Sequence, residues 1–206
     1  MLVVVYEGNL YMRLLNLSAK NYRSLRDVRV DLDDLNLFIG ANGSGKSSIL
    51  DALRFLHEGV QSHDFRAPVF SRGGILNLAW KGEEVDRIVL SVCLENGEGI
   101  YKWTVGIVRN GYDFHIEENV TLSPFQSPPM QLLDTDRGQG WWWSADRKEK
   151  VRLKQVSTQC SLTAASANAS FPARDIAEFV SKWGFFDPNP FPVSYTHLTL
   201  PTKRIV

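Results

Sequence analysis

The chain has 206 residues, 44% of them apolar, enough to build one generous core or two small ones. Its 23 basic and 23 acidic side chains cancel, so bulk charge gives no argument for a nucleic-acid or acidic-membrane partner. Cys93 and Cys160 make neither a disulfide framework nor a metal-ligand pair, which points to a reducing cytoplasm, and no stretch nears the ~20 apolar residues of a membrane helix.

The opening "MLVVVY" is too short, and lacks the basic region, for a secretory signal. Met12 begins a more regular start, "MRLLNLSAKNYRSL", so residues 1–11 read as an upstream extension. Residues 14–19 and 28–32 read as two strands joined by the polar connection "KNYRSLRD". The run "LNLFI" at 35–39 is continuously apolar and ends at glycine, as a buried strand does. Residues 47–57 then read as a helix, with Ile49, Leu50, Leu53 and Leu56 on one face of a 3.6-residue period.

From Arg87 the period becomes two. Ile88, Leu90, Val92 and Leu94 share one face, as do Tyr101, Trp103, Val105 and Ile107, and these predict an antiparallel meander over 87–117. Asn96-Gly97 and Asn110-Gly111 stand where tight turns need positive φ. Residues 123–140, rich in Pro, Gly, Gln and Asp, read as loop or insert. Trp141, Trp142 and Trp143 cannot all face one side of a regular element; a local packing cluster is the leading reading, an exposed partner patch the minority one. Residues 157–170 read as loop or weak helix. Pro172 opens a helix in "PARDIAEFVSKWG", with Ile176, Phe179, Val180 and Trp183 on one face and Gly184 as its stop.

The segment Gly40-Ala41-Asn42-Gly43-Ser44-Gly45-Lys46-Ser47 satisfies G-x-x-x-x-G-K-[ST] after a predicted strand and before a predicted helix. Glycines let the backbone curl around a triphosphate and point N–H groups inward, while the helix N-terminus adds partial positive charge. Lys46 would bring a formal charge to the β- and γ-phosphates, the one catalytic candidate, and Ser47 a hydroxyl to Mg²⁺.

With its flanks, this segment resembles the N-terminal head of the ABC-type ATPases related to RecF, SMC proteins and the OLD nucleases, often described as AAA-family ATPases. The marks are Asn21-Tyr22-Arg23-Ser24 in an N-[FY]-R-S segment, the short second strand and the G-x-N-G-x-G-K-S loop. The resemblance is strong over residues 12–57 and weaker through "SRGG" (71–74), the meander and "WGFFDPNP". It implies an α/β P-loop NTPase, ABC-ATPase head-like and truncated, with an antiparallel β subdomain; residues 12–192 would be its N-terminal part. By position, Asn42, Gly43, Ser44, Gly45, Lys46, Ser47 and Ser48 would hold phosphate and metal. Arg23 would be a nucleotide contact or, equally, a surface arginine, and Gln61 is the nominee for the Mg²⁺-sensing glutamine. The intact parent would be a cytoplasmic ATPase using ATP and Mg²⁺. It would dimerise through its heads and couple hydrolysis to DNA repair, recombination or nuclease-linked phage defence, with DNA or a nuclease as partner.

Two parts of such a head are missing from the sequence: the signature helix, and an apolar run ending in Asp-Glu. The pairs Asp33-Asp34, Glu83-Glu84 and Glu117-Glu118 follow no four-residue apolar run and read as solvated turns or strand ends. The chain alone is therefore expected to bind nucleotide poorly, to hydrolyse essentially none, and to leave a sheet edge and an apolar face uncovered. Residues 193–202, "VSYTHLTLPT", resemble one reading frame of a transposase adapter from sequencing-library preparation, so 193–206 read as a non-native tail. The rival readings are an ABC transporter's ATPase subunit and a non-catalytic nucleotide-binding interaction module. "NYRSL" and the long segment over 87–119 favour the DNA-associated branch over the transporter.

Overall fold

Alternating apolar and polar residues from Arg13 to Lys154 build one eight-stranded sheet, antiparallel throughout. The computed structural model describes residues 3–6, 12–80 and 85–186. Glu83-Glu84, the end of "WGFFDPNP" and the 193–206 tail lie outside these residues. Strand β1 (Val3–Tyr6), within the segment read as an extension, pairs with β10 (Trp183–Phe186) in a separate two-stranded sheet. In the large sheet, β2 (Arg13–Tyr22) and β3 (Leu25–Asp31) form a hairpin. A meander follows: β4 (Arg87–Glu95), β5 (Gly99–Asn110), β6 (Asp113–Pro124), β7 (Met130–Asp136), β8 (Gln139–Ser144) and β9 (Glu149–Lys154). The order across the sheet is β3-β2-β4-β5-β6-β7-β8-β9.

Leu90, Val92, Leu94, Trp103, Val105 and Ile107 are fully buried on one face, beneath the helices. The opposite face carries short polar contacts such as Ser91 Oγ to Thr104 Oγ1 at 2.9 Å. The helices are α1 (Lys46–Gln61), α2 (Arg66–Ser71), α3 (Ile75–Leu78), α4 (Ser161–Ser166) and α5 (Arg174–Ser181). α1 packs on β2 and α5, and α4 packs on α5, β6 and β7.

Several sequence expectations need correction. The run at 35–39 is not a strand: Leu35, Leu37 and Ile39 are 90%, 72% and 85% exposed, and only Phe38 packs on the core. A strand needs a neighbouring ladder for its backbone, and here Asn36 instead bonds back to Asp33 (Asp33 N to Asn36 Oδ1, 3.0 Å; Asn36 Nδ2 to Asp33 O, 2.6 Å). The connection "KNYRSLRD" is mostly strand, with the turn confined to Arg23 and Ser24. Residues 123–140 contain β7, and β9 is an unpredicted strand. The turn at Asn96-Gly97 closes through the Asn96 carboxamide accepting from Glu98 N (2.9 Å) rather than through a positive φ; Gly111, at φ 64, does use one. Trp142 is buried edge-on to Phe171, which supports the packing cluster. α5 starts after Ala173 and ends at Ser181, so Gly184 lies in β10.

Gly59 lies on the buried side of α1, where a Cβ would overlap the Phe65 ring, itself stacked on Phe55 at 5.4 Å. Alanine adds up to ~1 kcal/mol of helix propensity, but overpacking costs about 1–3 kcal/mol. Gly59→Ala is therefore expected to lower the Tm by several degrees; a thermal melt with an unchanged or raised Tm would show that Phe65 has room to move.

Glu118 corrects the solvated reading of Glu117-Glu118. It is 1% exposed, on the helix-facing side of β6, where it accepts from Ser161 N (2.6 Å), Leu162 N (3.1 Å) and Trp103 Nε1 (3.2 Å). Burial pushes its carboxyl up to about 7, against the downward pull of those donors. A carboxyl raised on folding adds stability that is complete below its unfolded value, near 4.5, and lost as the pH rises through about 7. At ~1.4 kcal/mol per pH unit this is about 3 kcal/mol. Melts are expected to show Glu118→Gln flattening the stability profile between those two values; an unchanged slope would refute the assignment.

Candidate functional site

The chain leaves the Asp33–Asn36 turn, passes the exposed residues 35–39 and curls at Gly40 into α1. Gly43 and Gly45 sit at φ 81 and φ 95, which side chains rarely adopt. Gly45 is also the cap of α1, and a Cβ there would come within 3.0 Å of Leu25 Cδ2. The Lys46 ammonium folds over the loop, donating to Gly40 O and Ala41 O (both 2.7 Å) and to Ser44 Oγ (3.2 Å). Among the described residues no side chain caps α1, and its first turn holds no acidic residue, so its N-terminal N–H groups keep their partial positive charge. Ser47 is exposed, and Ser48 Oγ lies 2.7 Å from Ser24 Oγ, tying α1 to the β2–β3 turn. Residues 40–48 thus gather donors and one cation, with no carboxylate among them. Chemically the set suits a polyanion.

Beyond Ser48, Asp51 gathers a cluster that the sequence did not disclose. It accepts from Tyr22 Oη (2.6 Å) and from Arg72 Nε (3.1 and 3.2 Å). The Arg23 Nε lies 3.0 Å from Asp51 Oδ2, but off the direction that a hydrogen bond needs. Arg72 also pairs with Glu58 and donates to Pro68 O (3.0 Å). Burial disfavours its charge, yet Glu58 and Asp51 hold it more firmly protonated than a free arginine. Tyr22 is driven well above the ordinary tyrosine range by burial first and by Asp51 second. Arg72 belongs to the "SRGG" segment, a signal for its weight; nothing in the pattern around Asp51 distinguished it from a solvated helix position.

Arg23 occupies a left-handed turn position (φ 50), its side chain part of a cleft of about 510 Å³ beside the loop. Ser24, Ser48, Asn77, Ala79 and Trp80 complete the lining, and Arg23 N donates to Leu78 O (2.7 Å) to bring the 74–80 segment against the turn. Arg23, Ser48 and the loop are therefore neighbours in space. Gln61 is not: it lies at the opposite end of α1, where its Nε2 donates to Ser181 O (2.5 Å). It is corrected to a helix-packing residue.

The loop, the helix it feeds and the antiparallel sheet can be set against known proteins. Residues 12–119, just over half the chain, match the family described as an AAA ATPase domain. The chain belongs to this family. ATP binding is the chemistry that an AAA ATPase domain carries, usually with Mg²⁺. Among individual relatives, the chain is 53% identical over 49 residues to the DNA replication and repair protein RecF of Colwellia psychrerythraea, covering 23% of this chain and 13% of that protein. It is 42% identical over 45 residues to the Endonuclease GajA of Bacillus cereus, covering 22% and 8%. It is 30% identical over 99 residues to RecF of Actinobacillus pleuropneumoniae, covering 48% and 24%. The matched segments thus span a quarter or less of these relatives. No described helix of this AAA ATPase domain is long and apolar enough to cross a membrane.

Proposed function

We propose that the chain binds ATP with Mg²⁺ through Asn42, Gly43, Ser44, Gly45, Lys46, Ser47 and Ser48. The observation that carries this is the convergence at one loop of the Lys46 ammonium, two left-handed glycines and the uncapped start of α1. Phosphate oxygens would replace the carbonyls that Lys46 now contacts, and the exposed Ser47 hydroxyl would take the metal, which neutralises phosphate charge. The adjoining cleft, lined by Arg23 and Trp80, would receive the rest of the nucleotide.

Residues 12–192 then act as the N-terminal part of a P-loop ATPase head. Asp51, the carboxylate closest along the helix, is committed to Tyr22 and Arg72. Hydrolysis therefore needs an acidic group that the described residues do not place at the loop, and the chain alone turns ATP over negligibly. The RecF and GajA relatives support DNA or a nuclease as the partner of the intact ATPase, which would dimerise through its heads. The test is a titration with a fluorescent ATP analogue plus Mg²⁺. Weak, saturable binding that ATP competes away and AMP does not is expected. No saturable binding into the millimolar range would overturn the proposal.

A further inference from the structure

The chain is neutral as a whole, but its positive charge is not spread evenly. Five of the eight residues from 147 to 154 are basic (Arg147, Lys148, Lys150, Arg152 and Lys154), and all five are exposed. They lie on and beside β9, which among the described residues is the edge strand of the large sheet and pairs with β8 alone. The register sets Lys150 opposite Trp143, Arg152 opposite Trp141 and Lys154 opposite Gln139, so three cations and two indoles share one face. Lys150 Nζ stands 3.7 Å from the centre of the Trp141 ring, which shows the shared face directly. Val151, Leu153 and Trp142 take the opposite side and pack toward the core, and Trp143 also packs against core residues.

Basic residues on an edge strand can serve only to block sheet-to-sheet aggregation. Trp141, partly buried and sharing their face, is not needed for that. Among the described residues, Lys148, Arg152 and Lys154 make no ion pair, and Arg147 meets Glu149 only at 3.8 Å. Same-face positions recur about every 7 Å along a strand, close to the rise of phosphates in an extended single strand. Asp134 and Asp136 lie opposite Trp141 and Gln139 on β7, so an anion is favoured along the β9 edge and disfavoured across the sheet.

We propose that the β8–β9 hairpin binds single-stranded nucleic acid, its phosphates along Lys150, Arg152 and Lys154, with a base displacing the Lys150 ammonium to stack on Trp141. This surface is separate from the nucleotide loop, and it stands or falls separately from the ATP reading. The test is fluorescence anisotropy of labelled oligothymidylate with the full chain across a KCl series. Saturable binding that weakens steeply with salt is expected. Lys150→Gln, Arg152→Gln and Lys154→Gln together should weaken it at least tenfold and reduce the salt slope by about two, at ~0.7 per phosphate contact. Trp141→Ala should weaken binding severalfold with the slope unchanged. Circular dichroism melts of the same preparations check that the fold survives. A folded chain that binds no oligothymidylate overturns the inference, and so does binding that the triple variant leaves intact. Heparin binding as tightly as oligothymidylate, with Trp141→Ala silent, would reduce the face to a general polyanion surface and overturn it as well.

Discussion

Lys46→Ala should lower affinity for an ATP analogue at least tenfold while leaving the melting temperature within about two degrees. Charge-assisted hydrogen bonds contribute about 1.5–3 kcal/mol each, and 1.4 kcal/mol is a factor of ten in affinity. The ammonium has three acceptors, all inside its own loop, so its loss detaches no element of the fold. Substitutions away from the core change stability by roughly 0.5 kcal/mol or less. Lys46→Arg is expected to rescue poorly, because a planar guanidinium cannot stand in for a compact ammonium within that curl. Titration of the three proteins side by side decides the matter: equal affinities would remove the loop from the site.

The second large effect is on stability. Arg72→Ala removes a side chain that is 6% exposed and leaves Asp51 and Glu58 facing a gap. Breaking a buried ion pair from one side costs about 3–5 kcal/mol. The lower end applies, because Glu58 reaches solvent and Asp51 keeps Tyr22. At ~2–4 °C per kcal/mol for a chain of this size, a Tm lowered by roughly 6–12 °C is expected by calorimetry or circular dichroism. Arg72→Lys should recover only part, since one ammonium cannot reach both carboxylates with the arginine's geometry. A shift under about 2 °C for the alanine variant would show the cluster to be ornamental.

Where the sequence was legible, a strong period carried it. α1, the meander and α5 each follow a run whose apolar spacing admits one burial pattern, and Ile49, Leu53, Leu56, Ile176, Phe179 and Val180 are on the faces expected. The phosphate-loop pattern likewise located the curl at Gly40–Ser47, because its glycines meet a backbone demand that the structure shows at Gly43 and Gly45. Residues 35–39 misled because composition records an appetite for burial without recording a neighbour. β7 was hidden by flanking Pro and Gly, and β9 by having only Val151 and Leu153 between its charges. Glu118 was readable in hindsight, since Ile116, Val120 and Leu122 share its parity and all three point inward. Arg72 and Asp51 were not, because nothing in a one-dimensional pattern announces that two opposite charges are buried together.

The two contacts that fasten the far end of α1 have a bearing on how the molecule is made. His57 Nδ1 donates to Val180 O (2.9 Å) across 123 positions, and Gln61 reaches Ser181 across 120. At roughly 5–20 residues per second, the ribosome delivers those partners some 6 to 24 seconds after the helix itself emerges. Throughout that interval the apolar side of α1 has no α5 to cover it, and the nascent chain depends on whatever shelters it from its neighbours.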